Sequence, residues 1–121
     1  MPAAGSVSAR RSDFGGGGFA MVLPRLEHGW NAFPAIKDTL PQPPSTYARK
    51  LYYDTLVYDP LALKYIIERF GLSQIMIGTD YPFAIADFDP HASLAAAGLG
   101  AEAEKLLREG NARRYLGMPA A

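Results

Sequence analysis

Asp80 is the residue best placed to do chemistry. It follows a short apolar run in "QIMIGTDYPF", and in parallel α/β folds reactive groups gather just past the carboxyl ends of strands. A carboxylate there can hold a metal or take part in proton transfer. Capping the following helix, or simply facing solvent, are the structural alternatives. Arg25 carries a planar fork that can grip an anionic substrate group through two hydrogen bonds, or it can serve as a solvated surface cation. The two histidines, His28 and His91, stand far apart in the chain and belong to no HxH or HExxH pattern. Both read as surface or rim residues. Asp54 lies inside the run "LYYDTLV". It must point outward or find partners, because burying a bare carboxylate is costly.

The stretch "DFGGGGFA", residues 13–20, asks for a different explanation. It fits neither GxGxxG nor GxxxxGK[ST], so it is no phosphate cradle. "DFG" also echoes a kinase triplet, but no catalytic-loop HRD precedes it. Two readings stay open. Bare backbone could approach a bound group closely, or the glycines could form a flexible linker.

The elements that must position these residues follow from local signals. Residues 51–57 are aromatic, aliphatic and β-branched, which predicts a strand. Asp59 and Pro60 then supply an N-cap acceptor and a residue preset for a first helical turn. In the helix that follows, Leu63, Ile66, Ile67 and Phe70 share one face, and Gly71 is placed to stop it. Residues 74–78 read as a buried strand. Asp89 and Pro90 start a second helix, "GAEAEKLLREG" forms a third ending at Gly110, and Asn111 caps a last short one ending at Gly117. Earlier, "MVLPRLEHGWNAF" reads as partly helical, with Pro24 suited to a first turn and not to a helix interior. "PQPPST", residues 41–46, reads as extended loop. Strand, helix, strand in this order predicts a parallel βαβ unit. Two strands, or three with a short one before the glycines, make a meagre sheet of that class.

Composition bounds the class. The chain has 121 residues, is 49% hydrophobic and 20% charged, and carries twelve basic against twelve acidic side chains. That is a globular composition with no surplus of positive charge for nucleic acid or an anionic membrane. It has no cysteine, which excludes disulfides and thiolate sites and leans toward the cytoplasm. No apolar run approaches the roughly 20 residues of a membrane span. Residues 1–13 read as a disordered leader, without the apolar segment of a secretory signal.

Taken together, "GGGGFAMVLPRLEHGW", "PPSTYARKLYYDTLVYDPLALKYIIERFG", "QIMIGTDYPF" and "EGNARRYLG" resemble the C-terminal part of the amidohydrolase-related family, on the branch of aminocarboxymuconate-semialdehyde decarboxylase. The resemblance covers residues 14–118. It implies an α/β fold, the last part of a (β/α)8 barrel with a divalent metal, usually zinc. It also implies decarboxylation or hydrolysis of small carboxylated substrates. The family's metal site uses an HxH pair on the first strand, a histidine on a middle strand and an aspartate after the last strand. Only the aspartate carries over, onto Asp80. A catalytic histidine normally precedes the glycines, and Phe14 holds that position. Arg25 corresponds to the arginine that helps hold a substrate carboxylate, and Tyr58 stands where relatives often have histidine.

The expectation is therefore a partial, incomplete barrel, from a truncated gene, an alternative start or gene decay. Alone it would neither bind a metal ion nor turn over substrate. The alternative is a non-catalytic remnant or interaction fragment that pairs with a related barrel subunit. Open strand edges and an uncovered apolar face predict self-association.

Overall fold

The computed structural model describes residues 11–12 and 14–119. Three short parallel strands, in the order β1-β2-β3, form its sheet. They are β1 (Arg11–Ser12), β2 (Tyr52–Asp54) and β3 (Ile75–Met76). Arg11 and Ser12, read from sequence as the end of a leader, thus pair with Tyr52 and Tyr53; the leader's residues 1–10 and 13 lie outside the described residues. Between β1 and β2 run a 3-10 turn (Phe14–Gly16) and helices α1 (Phe19–Ala32), α2 (Ile36–Thr39) and α3 (Pro44–Ala48). Helix α4 (Pro60–Phe70) joins β2 to β3. After β3 come α5 (Pro90–Ala96), α6 (Ala101–Lys105), a π segment (Leu106–Gly110) and α7 (Asn111–Tyr115).

Helix α4 forms as its sequence signals require. Asp59 accepts a hydrogen bond from the Ala62 amide at 2.9 Å. Leu63, Ile66 and Phe70 are buried, and Gly71, at φ 98°, ends the helix. Asp89 caps α5 in the same way. The core gathers on the α4 face of the sheet. The Tyr53 and Phe70 rings stack at 3.7 Å between centroids and 7° between planes, with Phe19 against Phe70 at 5.9 Å. Leu23, Ile75, Leu94 and Leu107 close around them.

Four local expectations are corrected. Of residues 41–46, read as extended loop, 44–46 begin α3, because Pro43 sits at its N-cap and Pro44 inside its first turn. Pro24 lies within α1 and does not start it. Proline lacks an amide, so the Ala20 carbonyl four residues earlier loses its helical donor. The Tyr65 hydroxyl of α4 donates to that carbonyl at 2.9 Å. The helix expected to stop at Gly110 continues through the π segment into α7, and Asn111 does not cap it: its side chain reaches back to Leu72 and Ile75. The strands are shorter than the apolar runs that suggested them. Beyond Asp54 the Leu56 amide turns back to the Asp54 carboxylate at 3.0 Å, an Asx turn that ends the ladder. Beyond Met76 the Ile77 amide goes to Leu107 and the Gly78 amide to the Thr55 hydroxyl.

Two outcomes follow. Tyr65→Phe leaves the Ala20 carbonyl without a donor and costs about 1 kcal/mol in urea unfolding. In a Pro24→Ala background, where the helical amide returns, that cost shrinks toward zero. The second concerns Tyr53, fully buried. Burial pushes its phenol from 10.0 up to about 12. Its folded pKa lies above the unfolded value, so this contribution to stability is complete below pH 10 and is lost as pH rises toward about 12. Phenolate absorbance should show one tyrosine ionising together with alkaline unfolding, and Tyr53→Phe should lose it.

Candidate functional site

The carboxyl ends of β2 and β3 and the glycine turn after β1 converge on Asp54. This residue closes β2 and is buried, with 4% of its surface exposed. Its Oδ1 accepts from the Gly15 amide at 2.7 Å and from the Leu56 amide at 3.0 Å. Such bonds replace the water a carboxylate loses on burial. The turn can come this close only as glycine. Gly15 has φ 58°, and a Cβ there would stand 2.4 Å from Val57 Cγ1. Gly16, at φ 81°, lies against the Tyr53 ring, where a Cβ would meet it at 3.0 Å. Bare backbone therefore approaches the protein's own β2. Gly17 and Gly18 face nothing within 4 Å and leave that side of the turn open.

Gly78 completes the convergence from β3, since a Cβ on it would stand 3.0 Å from Asp54 Cβ. Two residues on, Asp80 has φ 59° and is half-buried. Its backbone carbonyl accepts from Phe83 at 3.0 Å, so Asp80 opens a turn and does not cap a helix. Its carboxylate makes no hydrogen bond among the described residues. Tyr58, past the end of β2, has a left-handed backbone too, at φ 56°. Its hydroxyl donates to the Ile85 carbonyl at 2.6 Å. The phenol pKa is raised by loss of solvation and then by the negative charges of Asp80, Asp87 and Asp54. The charges of all three carboxylates thus reach one phenol.

A small cavity of about 180 Å³ lies beside it, lined by Thr55, Tyr58, Asp87 and Ser93 among others. The loop after Asp80 exposes Tyr81, Phe83, Ile85 and Phe88. A larger hollow of about 650 Å³ lies on α6, the π segment and α7, and none of the candidate residues line it.

The remaining sequence candidates do not join this group. Arg25 is exposed on α1 and makes no hydrogen bond or ion pair with Asp80 among the described residues. His28, on α1, and His91, on α5, are exposed. Phe14 opens the glycine turn; its side chain lies outside the described residues. Among the described residues no group of three or more His, Cys, Asp or Glu side chains could hold a metal ion. The donor set does not fit zinc, which uses three or four protein ligands. Asp54 already accepts two amides, and Asp80 offers a single carboxylate. The role of Asp54 was only half legible: a carboxylate inside an aromatic strand signalled partners, without saying that one would be a glycine 39 residues away.

Comparison with known proteins places this geometry. The amidohydrolase family profile matches residues 11–118. A 2-amino-3-carboxymuconate-6-semialdehyde decarboxylase of Dictyostelium discoideum is 36% identical over 106 residues, which is 86% of this chain and 30% of that protein. Among solved structures, 5-carboxyvanillate decarboxylase of Sphingomonas paucimobilis superposes with a TM-score of 0.73 at 22% identity, over 92% of this chain and 34% of that one. A dihydroxybenzoic acid decarboxylase of a Polaromonas species, solved with manganese and an inhibitor, gives 0.72 at 19% identity, over 90% and 33%. The chain therefore spans about a third of these relatives, and at such identities the two structures establish likeness of fold.

The glycines give a graded test. Gly17→Ala meets no neighbour and should cost about 1–2 kcal/mol, the strain of a left-handed alanine. Gly15→Ala adds the collision with Val57 and should cost about 2–4 kcal/mol. Denaturant midpoints of the two variants measure the difference, and equal losses would contradict the close approach.

Proposed function

The chain belongs to the amidohydrolase family, on the branch of aminocarboxymuconate-semialdehyde decarboxylase, and from this we propose that it supplies the C-terminal part of a (β/α)8 barrel that decarboxylates small carboxylated substrates. Decarboxylation is preferred to hydrolysis because the relatives compared above are named decarboxylases. The observation that carries the reading is the placement of Asp80. It stands just beyond β3, half-buried, with a carboxylate that no amide occupies among the described residues. In the complete site Asp80 is one ligand of a divalent ion, zinc or the manganese bound by one relative, and the other ligands come from strands outside these residues.

Arg25 is the candidate for holding the substrate carboxylate. Its exposed guanidinium has its donors available for a bidentate grip. A lysine there would keep the charge and lose the fork. Tyr58 holds its phenolic proton more tightly than a free tyrosine does, because of lost solvation first and then the negative charges of Asp80, Asp87 and Asp54. It acts at this mouth as a neutral donor, already directed at the Ile85 carbonyl.

Among the described residues no group of three or more His, Cys, Asp or Glu side chains could hold the ion. Titration with zinc or manganese, followed by calorimetry, should show no saturable site of submicromolar affinity. Mixed with a polypeptide carrying the upstream HxH strands of a relative, the chain should gain chelator-sensitive decarboxylation that Asp80→Ala abolishes. A tight ion site in the isolated chain, lost in Asp80→Ala, would overturn the reading.

A further inference from the structure

We propose that Tyr58 is a positioning residue: its hydroxyl tethers the far side of the loop 79–87 and so holds Asp80, near the start of that loop, in place at the mouth. The use made of Asp80 rests on the function proposed above, whereas the tether belongs to this chain alone.

Residues 79–87 close on themselves. At the neck the Asp87 amide donates to the Thr79 carbonyl at 2.8 Å. Within the loop the Phe83 amide donates to the Asp80 carbonyl and the Ala86 amide to the Phe83 carbonyl, both at 3.0 Å. Each side of the neck is fastened from outside. The Gly78 amide reaches Thr55 Oγ1 at 3.2 Å where the chain enters, and Ser93 Oγ donates to the Asp87 carboxylate at 2.6 Å where it leaves. Between these points Tyr58 supplies the anchor, donating to the Ile85 carbonyl at 2.6 Å. The bond joins the loop after β2 to the loop after β3.

Packing does not do this work. Of residues 79–87 only Ala86 is buried, and Tyr81, Phe83 and Ile85 are exposed. A loop with so few buried apolar contacts opens easily unless polar bonds hold it. Asp80 needs holding, because it sits at φ 59°, a backbone conformation unfavourable for a residue with a Cβ. Tyr58 has the same conformation, at φ 56°, where glycine is unstrained and a bulky side chain is a rare outlier. Burial does not justify its ring there, since 56% of Tyr58 is exposed. What the side chain gains is the Ile85 bond. Strain kept for a single contact marks that contact as one the site depends on.

NMR on the full chain without added ion tests this, through amide exchange and the Asp80 Cα and Cβ shifts, which report its backbone angles. Tyr58→Phe keeps the ring and removes the donor. It should raise exchange at Ala86 and Asp87 about three- to tenfold relative to Ile66 in α4, the loss of roughly one hydrogen bond. The Asp80 shifts should move toward extended-chain values. Tyr58→Gly relieves the left-handed strain and also removes the tether. It should act in the same direction, and it decides the case if Tyr58→Phe fails to fold. Tyr81→Phe removes a hydroxyl that makes no hydrogen bond among the described residues and should change neither readout. Tyr58 variants that keep both the loop exchange and the Asp80 shifts would overturn the proposal. So would exchange that rises equally at Ile66, or a Tyr81→Phe chain that behaves as Tyr58→Phe does. No ion or substrate enters the measurement, so a loop that loosens in a chain unable to reconstitute decarboxylation would count against the proposed function and leave the tether standing.

Discussion

The Asp54 carboxylate is where the strand ends of this fold are joined. It is buried, and a buried carboxylate must be solvated by something other than water. Two backbone amides do this, one from the glycine turn after β1 and one from its own strand. The first bond draws Gly15 onto β2, which only a residue without a side chain permits. The second folds the chain back at Leu56 and ends β2 after three residues. The left-handed turn at Tyr58 follows, and the phenol is thereby presented beside Asp80 and Asp87. One electrostatic requirement thus sets the length of a strand, the shape of a loop and the position of a hydroxyl.

The opposite end of the sheet is held by the same kind of contact. Strands of two and three residues contribute few ladder bonds, so the sheet relies on side chains that bond to backbone. Asn111 and Arg114 fasten the beginnings of β2 and β3. Gln74 Nε2 ties the start of β3 to the Leu51 carbonyl at 2.9 Å, and the Tyr53 hydroxyl reaches the Ala48 carbonyl at 2.8 Å. Between the two ends, the stack of Tyr53 on Phe70 joins sheet to helix. The apolar stack excludes water from the middle, and the polar bonds at the ends keep that exclusion from stranding backbone groups.

What the sequence revealed depended on the distance over which each signal acts. The Asp-Pro starts of α4 and α5 were legible because cap, proline and first turn lie within four residues. The same holds for the stop at Gly71. Pro24 misled because its tolerance inside α1 depends on Tyr65, on another helix. Asn111 misled because a cap was the local reading of its amide, whereas its true acceptors lie 36 and 39 residues earlier. Strand ends misled because apolar runs report burial and not pairing. At the candidate site, the position of Asp80 after β3 was readable from pattern. Its left-handed turn was not, and neither was the reach of the Asp80, Asp87 and Asp54 charges to Tyr58.

Asp54 and Asp80 belong to the same mouth, yet their surroundings assign them different chemistry. Two amides aimed at Asp54 Oδ1 replace the water this carboxylate loses on burial. Asp87 is occupied as well, accepting from Ser93 Oγ at 2.6 Å and from the Asp89 amide at 3.0 Å. Asp80 alone keeps its carboxylate clear of such bonds among the described residues. One oxygen donor cannot strip a hydrated ion of enough water to hold it tightly. The scaffold therefore leaves the Asp80 carboxylate clear while Asp54 and Asp87 hold the loops beside it.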